Sequence, residues 1–473
     1  MEENEKKAPD GETAGAQQAE STEKPKSKLG CCGIFVLSLL GLVTAGGLFS
    51  LWWISKVEDA SREFARQVET ELDAEMDLQI AVPPDEDAGP LYGRAWGLHA
   101  APVDRDNLYS VENMYNAKAA DLEKYMADNV AYRAALKNAV LKPRFGFRVD
   151  LSKGISAAMP DLVRFREAAR YLGVAARYEA RKGNTAEALQ LLGISLRLAR
   201  DVGANRTVIC RMLQVACEAM TVQALEHVLN EGRPSEAELR KFLGVLEAHI
   251  RGRSPLSDTL RREKIWMAVT IKGIVAGEVD PAVLTGGTRT AESQMALGLW
   301  RASGLVLKEG RNLTDAMDRY TEAARKPFPE SLSEVEKIDK DLFPQSGGEM
   351  SGVKVLFEGR TWVNMLVPSF GRILITEARV VAQLELARLA IACRLQKLRT
   401  GSYPAKLEEL SKSFPKGFAE LPPDPFTAGD MKYRLTRTGC MIWSLGANRA
   451  DDGGLKRTRK NRNACDVVIS LDN

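Results

Sequence analysis

The chain has few of the side chains from which enzymes usually build an active site. Its 473 residues contain three histidines, His99, His227 and His249, which are far apart in the sequence. Because histidine is the usual side chain for proton transfer near neutral pH and a common metal ligand, so few argue against a histidine-based metal site or triad. No G-x-S-x-G, H-E-x-x-H, Walker or G-x-G-x-x-G motif occurs in a suitable context. We therefore predict a protein that is not an enzyme; the alternative is a hydrolase whose Asp, Glu and Ser residues converge only in the fold.

The chain also contains few cysteines and has a low net charge. Seven cysteines, without a C-x-x-C spacing, are too few for a disulfide scaffold. The formal net charge of +3 gives no general reason to expect nucleic acid as a partner. The composition is 45% hydrophobic and 27% charged, which is typical of a folded globular protein, and 473 residues predict two or more domains.

The longest uncharged stretch is Leu29 to Ser55. As a helix, its roughly 27 residues would reach about 40 Å, more than the ~30 Å hydrocarbon core of a bilayer. We therefore predict a transmembrane helix over residues 29–55, with the lipid bilayer as its partner. Residues 1–28 are polar and carry Lys24, Lys26 and Lys28 beside this helix. Their composition predicts a disordered tail, and the positive charge places it in the cytoplasm with the body outside.

Two further interpretations of the anchor remain open. Val43-Thr44-Ala45 has the small residues of a signal-peptide cleavage site, but the apolar run continues to Ile54, which favours a permanent anchor. Gly41 and Ala45 form a small-x-x-x-small pair, which could let two anchors pack closely and make a homo-oligomer.

The body of the chain is predicted to be helical. Residues 56–82 are charged and helix-favouring up to Pro83-Pro84, which predicts a stalk helix that continues the anchor. Residues 83–368 form successive apolar-periodic segments with few strand signals. Tyr171–Arg181 and Ala186–Arg200 have the helix–turn–helix pattern of one tetratricopeptide unit, but no second copy follows. A helical bundle is therefore favoured over a repeat array.

Four residues indicate where helices of this bundle begin and end. Gly183 suits a helix C-terminus, and Thr185 is a candidate N-cap for the next helix. Ser235 is followed three residues later by Glu238, which is the spacing of a capping box.

Residues 369–473 predict a small α+β domain. A long helix from Phe370 to Arg399 is followed by three strand-like segments, Met431 to Leu435, Cys440 to Leu445 and Asp466 to Leu471. The fold class predicted for the whole chain is mainly α. It consists of an N-terminal transmembrane helix, a helical-bundle body and a small C-terminal α+β domain with a long helix and a short antiparallel sheet.

The motifs of this last segment carry a resemblance. The series RLQKLRTGSYP, LPPDPF, KYRL, MIWSLGANRADDGG and CDVVISL, between Leu384 and Leu471, is similar to the periplasmic domain of the type II secretion major pseudopilin. That family has a long helix, a G-x-YP turn, a D-P-W or D-P-F loop and a closing strand that starts with Asp. The resemblance implies a periplasmic, pseudopilin-like head, and it raises the alternative of a component of a type II secretion or pilus-like assembly.

Three segments before this head resemble another set of proteins. VPPDEDAGPLYGRAW, KPRFGFRVDLSKG and AARYEARKGNTAEALQLL are similar to blocks in uncharacterised bacterial single-pass membrane proteins, which often end in the same pseudopilin-like domain. This resemblance implies a bacterial inner membrane protein with its body in the periplasm and envelope proteins as partners. We therefore expect an envelope interaction or structural protein, with an envelope hydrolase as a further alternative and without nucleic acid as a partner.

The anchor itself lacks the marks of a pilin. Pilin-type precursors have a processing site before the apolar run and a Glu at its fifth mature position, whereas Leu29 to Ser55 contains no Glu. Residues 56–369 also separate this run from the pilin-like helix, where a pilin has one continuous helix. The anchor is therefore expected to be a tether and not a polymerising stem.

The pseudopilin resemblance also implies calcium. In that family, the loop before the last strand binds calcium, and by position Asn448, Asp451, Asp452 and Asp466 would be the ligands here. Asn448 replaces a carboxylate, and five cations, Lys456, Arg457, Arg459, Lys460 and Arg462, lie in the same loop. The alternatives are a solvated turn in which these cations pair with Asp451 or Asp452, and a basic contact with an anionic lipid or polymer.

Two cysteines of the same domain were candidates for a disulfide. Cys440 and Cys465 begin neighbouring strand-like segments, and an oxidising compartment would allow them to form a bridge. The sequence leaves the bridged and the reduced states equally open.

Overall fold

The computed structural model describes residues 29–78, 81–280, 298–343, 362–363, 368–414, 420–456 and 465–472, with side chains from Leu42 onward except at residues 368 and 369. The predicted tail of residues 1–28, the surroundings of Gly41 and the cations at positions 457, 459, 460 and 462 lie outside this description. The chain divides into two compact units, Met1–Glu58 and Asp59–Asn473.

The fold is mainly helical with one small sheet, as the sequence predicts. The α-helices with full boundaries are α1 Leu29–Asp77, α2 Gly89–Trp96, α3 Arg105–Leu108, α4 Ala119–Asp128, α5 Val130–Ala139, α6 Leu162–Arg181, α7 Thr185–Gly203, α8 Val208–Glu231, α9 Glu236–Arg251, α10 Leu256–Ala276, α11 Leu305–Arg325, α12 Glu330–Leu342, α13 Pro368–Thr400 and α14 Glu409–Ser413. Two short 3₁₀ helices, Met114–Asn116 and Leu151–Ser156, lie between them. The strands are β1 Lys432–Leu435, β2 Gly439–Ser444 and β3 Val467–Asp472.

The first unit contains the predicted membrane segment. Its backbone is helical from Leu29, and the large apolar side chains between Leu42 and Ile54 are exposed. Phe49 lies against Trp52, with ring centroids 5.7 Å apart. In the part of the chain that the structure describes, the one helix that passes a test of length and apolar composition for membrane spanning is α8, and 61% of its apolar window is buried inside the body. Helix α8 is therefore a core helix, and membrane insertion of residues 29–55 stays a prediction.

The part of α1 in the second unit belongs to the body. Phe64 and Val68, one helical turn apart, are buried. On the same part of the helix, Glu69 pairs with Lys272 of α10 at 3.0 Å, and Glu71 pairs with Lys264 at 2.9 Å. Residues 59–77 of the predicted stalk helix are thus packed and ion-paired against α10.

Helices α6 to α9 form the centre of the body. Gly183 ends α6 with a φ of 83°, a left-handed conformation that glycine adopts without strain, as the sequence predicts. The capping box of Ser235 and Glu238 at the start of α9 is present. The N-cap of α7 differs from the expectation: it is Asn184, and the Thr185 hydroxyl instead donates to Glu238 of α9 at 3.1 Å. The Thr185 hydroxyl therefore connects α7 to α9 and does not cap its own helix.

Helix α13 joins the sheet to the body. It packs against α8 and α9 and also against β2 and β3. The sheet has the order β1-β2-β3 with antiparallel neighbours. Buried side chains of α8, α13 and β2, such as Leu225, Leu389 and Ile442, belong to one hydrophobic core. Residues 369–473 thus fold as a helix on a small sheet inside the unit that begins at Asp59.

Candidate functional site

The motifs that carry the pseudopilin resemblance hold the C-terminal segment together. The Asp424 carboxylate accepts hydrogen bonds from the backbone N–H groups of Phe426 and Leu445, each at 2.8 Å, and from the Ser444 hydroxyl at 2.9 Å. The Tyr403 hydroxyl donates to the carbonyl of Asp472 at 2.7 Å. The D-P-F loop and the G-x-YP turn therefore have structural roles in joining loops to strands.

The predicted calcium ligands lie in the loop between β2 and β3. The Asp452 carboxylate accepts from the backbone N–H of Cys465 at 2.8 Å and from Asn448 Nδ2 at 3.2 Å. Asp466 accepts from the backbone N–H of Gly454 at 2.8 Å. Asn448, Asp452 and Asp466 thus all take part in hydrogen bonds within this one loop.

Asp451 has different hydrogen-bond partners from the other predicted ligands. Its Oδ1 accepts from Trp443 Nε1 at 3.0 Å and from the N–H of Gly453 at 2.9 Å, and these hydrogen bonds lower the pKa of Asp451. Burial and the neighbouring carboxylates of Asp452 and Asp451 raise the pKa of Asp466, whose Oδ1 is buried without a hydrogen-bond partner. This orphaned oxygen fits a cation, but within the described residues no group of three or more His, Cys, Asp or Glu side chains has the arrangement of a metal site.

The two candidate disulfide cysteines are far apart in the sheet. Cys440 is paired with Leu471 across β2 and β3, six positions along the chain from Cys465. At ~3.3 Å per strand residue, six positions correspond to roughly 20 Å, whereas a disulfide needs Cα atoms about 4.4–6.8 Å apart. The structure accordingly contains no bond between them. The antiparallel direction of β3 places Cys465 at the opposite end of the sheet, and this rules out the bridge that the sequence left open.

A buried polar network connects α8, α9 and α13. Arg211 of α8 donates to Glu377 of α13 from Nε at 3.0 Å and from Nη2 at 2.6 Å. Arg253, just after α9, donates to both carboxylate oxygens of Glu218 at 3.0 Å and contacts Glu377 at 2.9 Å. His249 Nε2 lies 2.7 Å from Glu218 Oε1. The two carboxylates are therefore each held by two basic side chains.

The charges of this network stabilise each other. Burial alone raises the pKa of Glu218, but Arg253 and His249 outweigh that effect and lower it to about 2. Burial likewise disfavours the charged form of Arg253, yet Glu218 and Glu377 raise its pKa above the ordinary value. Glu218 is thus a permanent anion, which binds α8 to the end of α9 and does not exchange protons near neutral pH.

A pocket of about 350 Å³ lies beside this network. It is bordered by the end of α1, the segment before the second 3₁₀ helix, the ends of α7 and α9, and α10. Its charged lining consists of one carboxylate, Glu75, and six arginines, Arg144, Arg148, Arg200, Arg206, Arg253 and Arg262. We call it the arginine pocket. A guanidinium is always charged and has no acceptor, so this lining is suited to holding anions and not to proton transfer.

Gln214 connects the arginine pocket to the network. It lines the pocket, accepts from Arg211 Nη1 at 3.0 Å and donates to Glu218 at 2.9 Å. A Cβ on Gly203 of α7 would lie 2.0 Å from the Gln214 side chain, so this approach requires glycine. The C-terminal end of α7 thus packs against Gln214, which belongs to the network and also lines the pocket.

The sequence did not reveal the arginine pocket or the network. The pocket arginines are spread from Arg144 to Arg262, and Glu377 is 166 residues from Arg211. One signal was present: α8, an otherwise apolar helix, carries Arg211, Gln214 and Glu218 at intervals of three and four residues on one face. Polar side chains at that spacing in an apolar helix indicate a buried polar partner on another element.

Comparison with known proteins adds no relative to this picture. No protein-family model matches the chain, and neither a curated protein nor a solved structure matches it significantly.

Proposed function

We propose that this chain is a membrane-anchored protein of the bacterial envelope with an interaction or structural role and without enzymatic activity. In this proposal, residues 29–55 span the inner membrane once, the N-terminal tail is cytoplasmic, and the helical body and pseudopilin-like head are periplasmic. Envelope proteins would be its partners.

The observation that carries this proposal is the exposed apolar surface of the first unit. Leu48, Phe49 and Leu51 are 68%, 61% and 67% exposed. A contiguous helical surface of this kind is unfavourable in water, and it suits the acyl chains of a bilayer. Trp52 and Trp53 follow at its end, where indole rings suit the headgroup layer.

At the buried network and the arginine pocket, the chemistry supports a binding role over a catalytic one. Glu218 and Glu377 are held by arginines and a histidine, and the neighbouring pocket is lined mainly by guanidinium groups. Such groups fix positions and bind anions, whereas general acid–base catalysis needs a side chain that titrates near the working pH.

Protease protection in spheroplasts tests the orientation. The proposal expects added protease to digest residues beyond 59 while an epitope at the N-terminus stays protected, and it expects the chain to remain with membranes after alkaline washing. Replacing Leu48 and Leu51 with Asp should release the chain from membranes, whereas the same change at exposed Val163 and Leu141 of the body should not. Digestion of the tail with protection of the body would contradict the orientation, and release by alkali would contradict the anchor.

A component of a type II secretion or pilus-like assembly is the second candidate. The packing of the long α13 against a three-stranded antiparallel sheet favours it. Cross-linking in cells separates the two: a pilus component should form ladders of multimers that disappear without the secretion machinery. An interaction protein should instead give defined complexes, which co-purify from membranes with other envelope proteins and do not depend on that machinery.

A further inference from the structure

We infer that the arginine pocket is a binding site for a small multivalent anion that carries phosphate or clustered carboxylate groups. This inference goes beyond the proposed function, because it holds whether or not the chain is anchored in a membrane. It rests on the number of arginines around one cavity, on the small number of carboxylates that face them, and on a cavity volume that suits a small molecule.

Three of the six arginines lack a hydrogen-bonded carboxylate among the residues that the structure describes. Arg148 donates from Nη1 to the backbone carbonyls of Phe145 and Phe147. Arg206 has its nearest carboxylate, Asp258, at 3.8 Å, which is beyond hydrogen-bond distance. Arg200, at the end of α7, contacts no carboxylate at ion-pair distance in the described part of the chain.

The acidic groups near these arginines are already engaged. Asp201 accepts from Arg197 at 2.7 Å and from the Tyr92 hydroxyl at 2.7 Å. Asp87 accepts from the backbone N–H groups of Gly89 and Gly146 at 2.7 Å and 2.6 Å. Their charges act on Arg148 from a distance, but both carboxylates already accept hydrogen bonds from other donors, Asp87 through Oδ1.

The other pocket arginines are paired, and one of them keeps a free donor. Arg144 pairs with Glu86 at 3.3 Å, and Arg253 pairs with the buried network. Arg262 bonds Glu75 through Nη1, while its Nε is buried without a hydrogen-bond partner in the described part of the chain. A buried guanidinium N–H without an acceptor is unfavourable, so Glu75 does not fully satisfy Arg262.

Crowding of like charge is visible at Arg148. Burial lowers its pKa, and the nearby guanidinium groups of Arg262 and Arg206 lower it further. Three cations held this close repel one another, and their elements hold them in place: α7 and α8 flank Arg206, whose φ of 52° is in the left-handed region. An anion among them would relieve the repulsion.

The geometry of the groups points to a class of ligand. A guanidinium presents parallel N–H donors, which match two oxygens of a phosphate or a carboxylate. Several such groups around one cavity favour an anion with more than one negative charge. The volume of about 350 Å³ accommodates a compound of the size of pyrophosphate or citrate.

Calorimetric titration of the full chain in detergent tests this inference, with pyrophosphate and citrate as separate probes at low ionic strength. We expect at least one probe to bind with a 1:1 stoichiometry, and the preferred probe tells phosphate from carboxylate chemistry. Arg148→Gln should weaken binding at least about tenfold, because a charge-assisted contact is lost. Arg325→Gln is the matched control: it removes an exposed, ion-paired arginine outside the pocket and should leave the affinity unchanged.

A second variant keeps the test decisive if Arg148→Gln does not fold. Arg200 is exposed and lies at the surface end of the pocket, so Arg200→Gln should fold normally and still weaken binding. Circular dichroism would verify the fold of each variant. The inference is overturned if neither probe binds the wild-type chain, or if a folded Arg148→Gln or Arg200→Gln variant binds as tightly as the control Arg325→Gln.

Discussion

At the scale of single residues, Glu263 is the acidic side chain whose burial has the clearest consequence. It lies in α10, is 6% exposed, and accepts the backbone N–H of Val208 at 2.9 Å at the start of α8. Burial raises its pKa from 4.5 to about 7, and the Val208 N–H offsets only part of that effect. The folded protein therefore holds a proton at Glu263 over a pH range in which the unfolded chain has lost it.

This proton makes stability depend on pH with a definite sign. Because the folded-state pKa is raised, the cost of ionising Glu263 is absent below pH 4.5 and complete above about pH 7. Glu263→Gln keeps an oxygen for Val208 and cannot ionise, so it should stabilise the protein at pH 8 by up to roughly 3 kcal/mol and change little at pH 4. Urea unfolding at both pH values measures this difference.

Exposed Glu123 in α4 is the control for the Glu263 variant. Glu123→Gln should have the same small effect at pH 4 and pH 8, because its side chain is solvated. Equal stabilisation by Glu263→Gln at both pH values would contradict the assignment of the effect to ionisation.

At the scale of elements, the ion pairs between Arg211, Arg253 and Glu377 hold α13 against α8. Glu377→Gln should destabilise the protein by about 3–5 kcal/mol, because two buried guanidinium groups lose their shared carboxylate. Denaturant titration of the free energy of unfolding provides the measurement.

The matched control is Glu322→Gln, which removes an exposed ion pair with Arg325 of the same helix. Such pairs contribute less than about 1 kcal/mol, so the control should unfold almost as the wild type does. If Glu377→Gln and Glu322→Gln lower the free energy of unfolding by the same small amount, the network does not stabilise the packing of α13 against α8.

The elements also show which parts of the fold the sequence could predict. The break at Gly183 and the capping box at Ser235 are local signals, and the structure confirms both. The small antiparallel sheet is also confirmed, because alternation and turn residues mark its strands. Local signals do not specify which helices pack against each other. The contact of Arg211 with Glu377, and the direction of β3 that separates Cys440 from Cys465, arise only from tertiary packing.

At the scale of the whole molecule, the helical body and the C-terminal sheet belong to one compact unit from Asp59 onward. The sequence suggested a boundary at residue 368, because the composition and the resemblance change there. Helix α13 begins at that point, yet its buried side chains share a single core with the helices of the body and the strands of the sheet. The change in sequence pattern at residue 368 thus marks the point where helix-on-helix packing gives way to a helix packed on a sheet, within one compact unit.

Unfolding of the chain from residue 59 onward should therefore be a single cooperative transition. Native-state hydrogen exchange provides the measurement: the amides of Leu225 in α8 and Ile442 in β2 should lose protection at the same denaturant concentration. Glu377→Gln should shift both together, because it weakens the helix that connects them. Loss of protection at Ile442 well before Leu225 would show that the sheet unfolds on its own and that residues 369–473 form an independent domain.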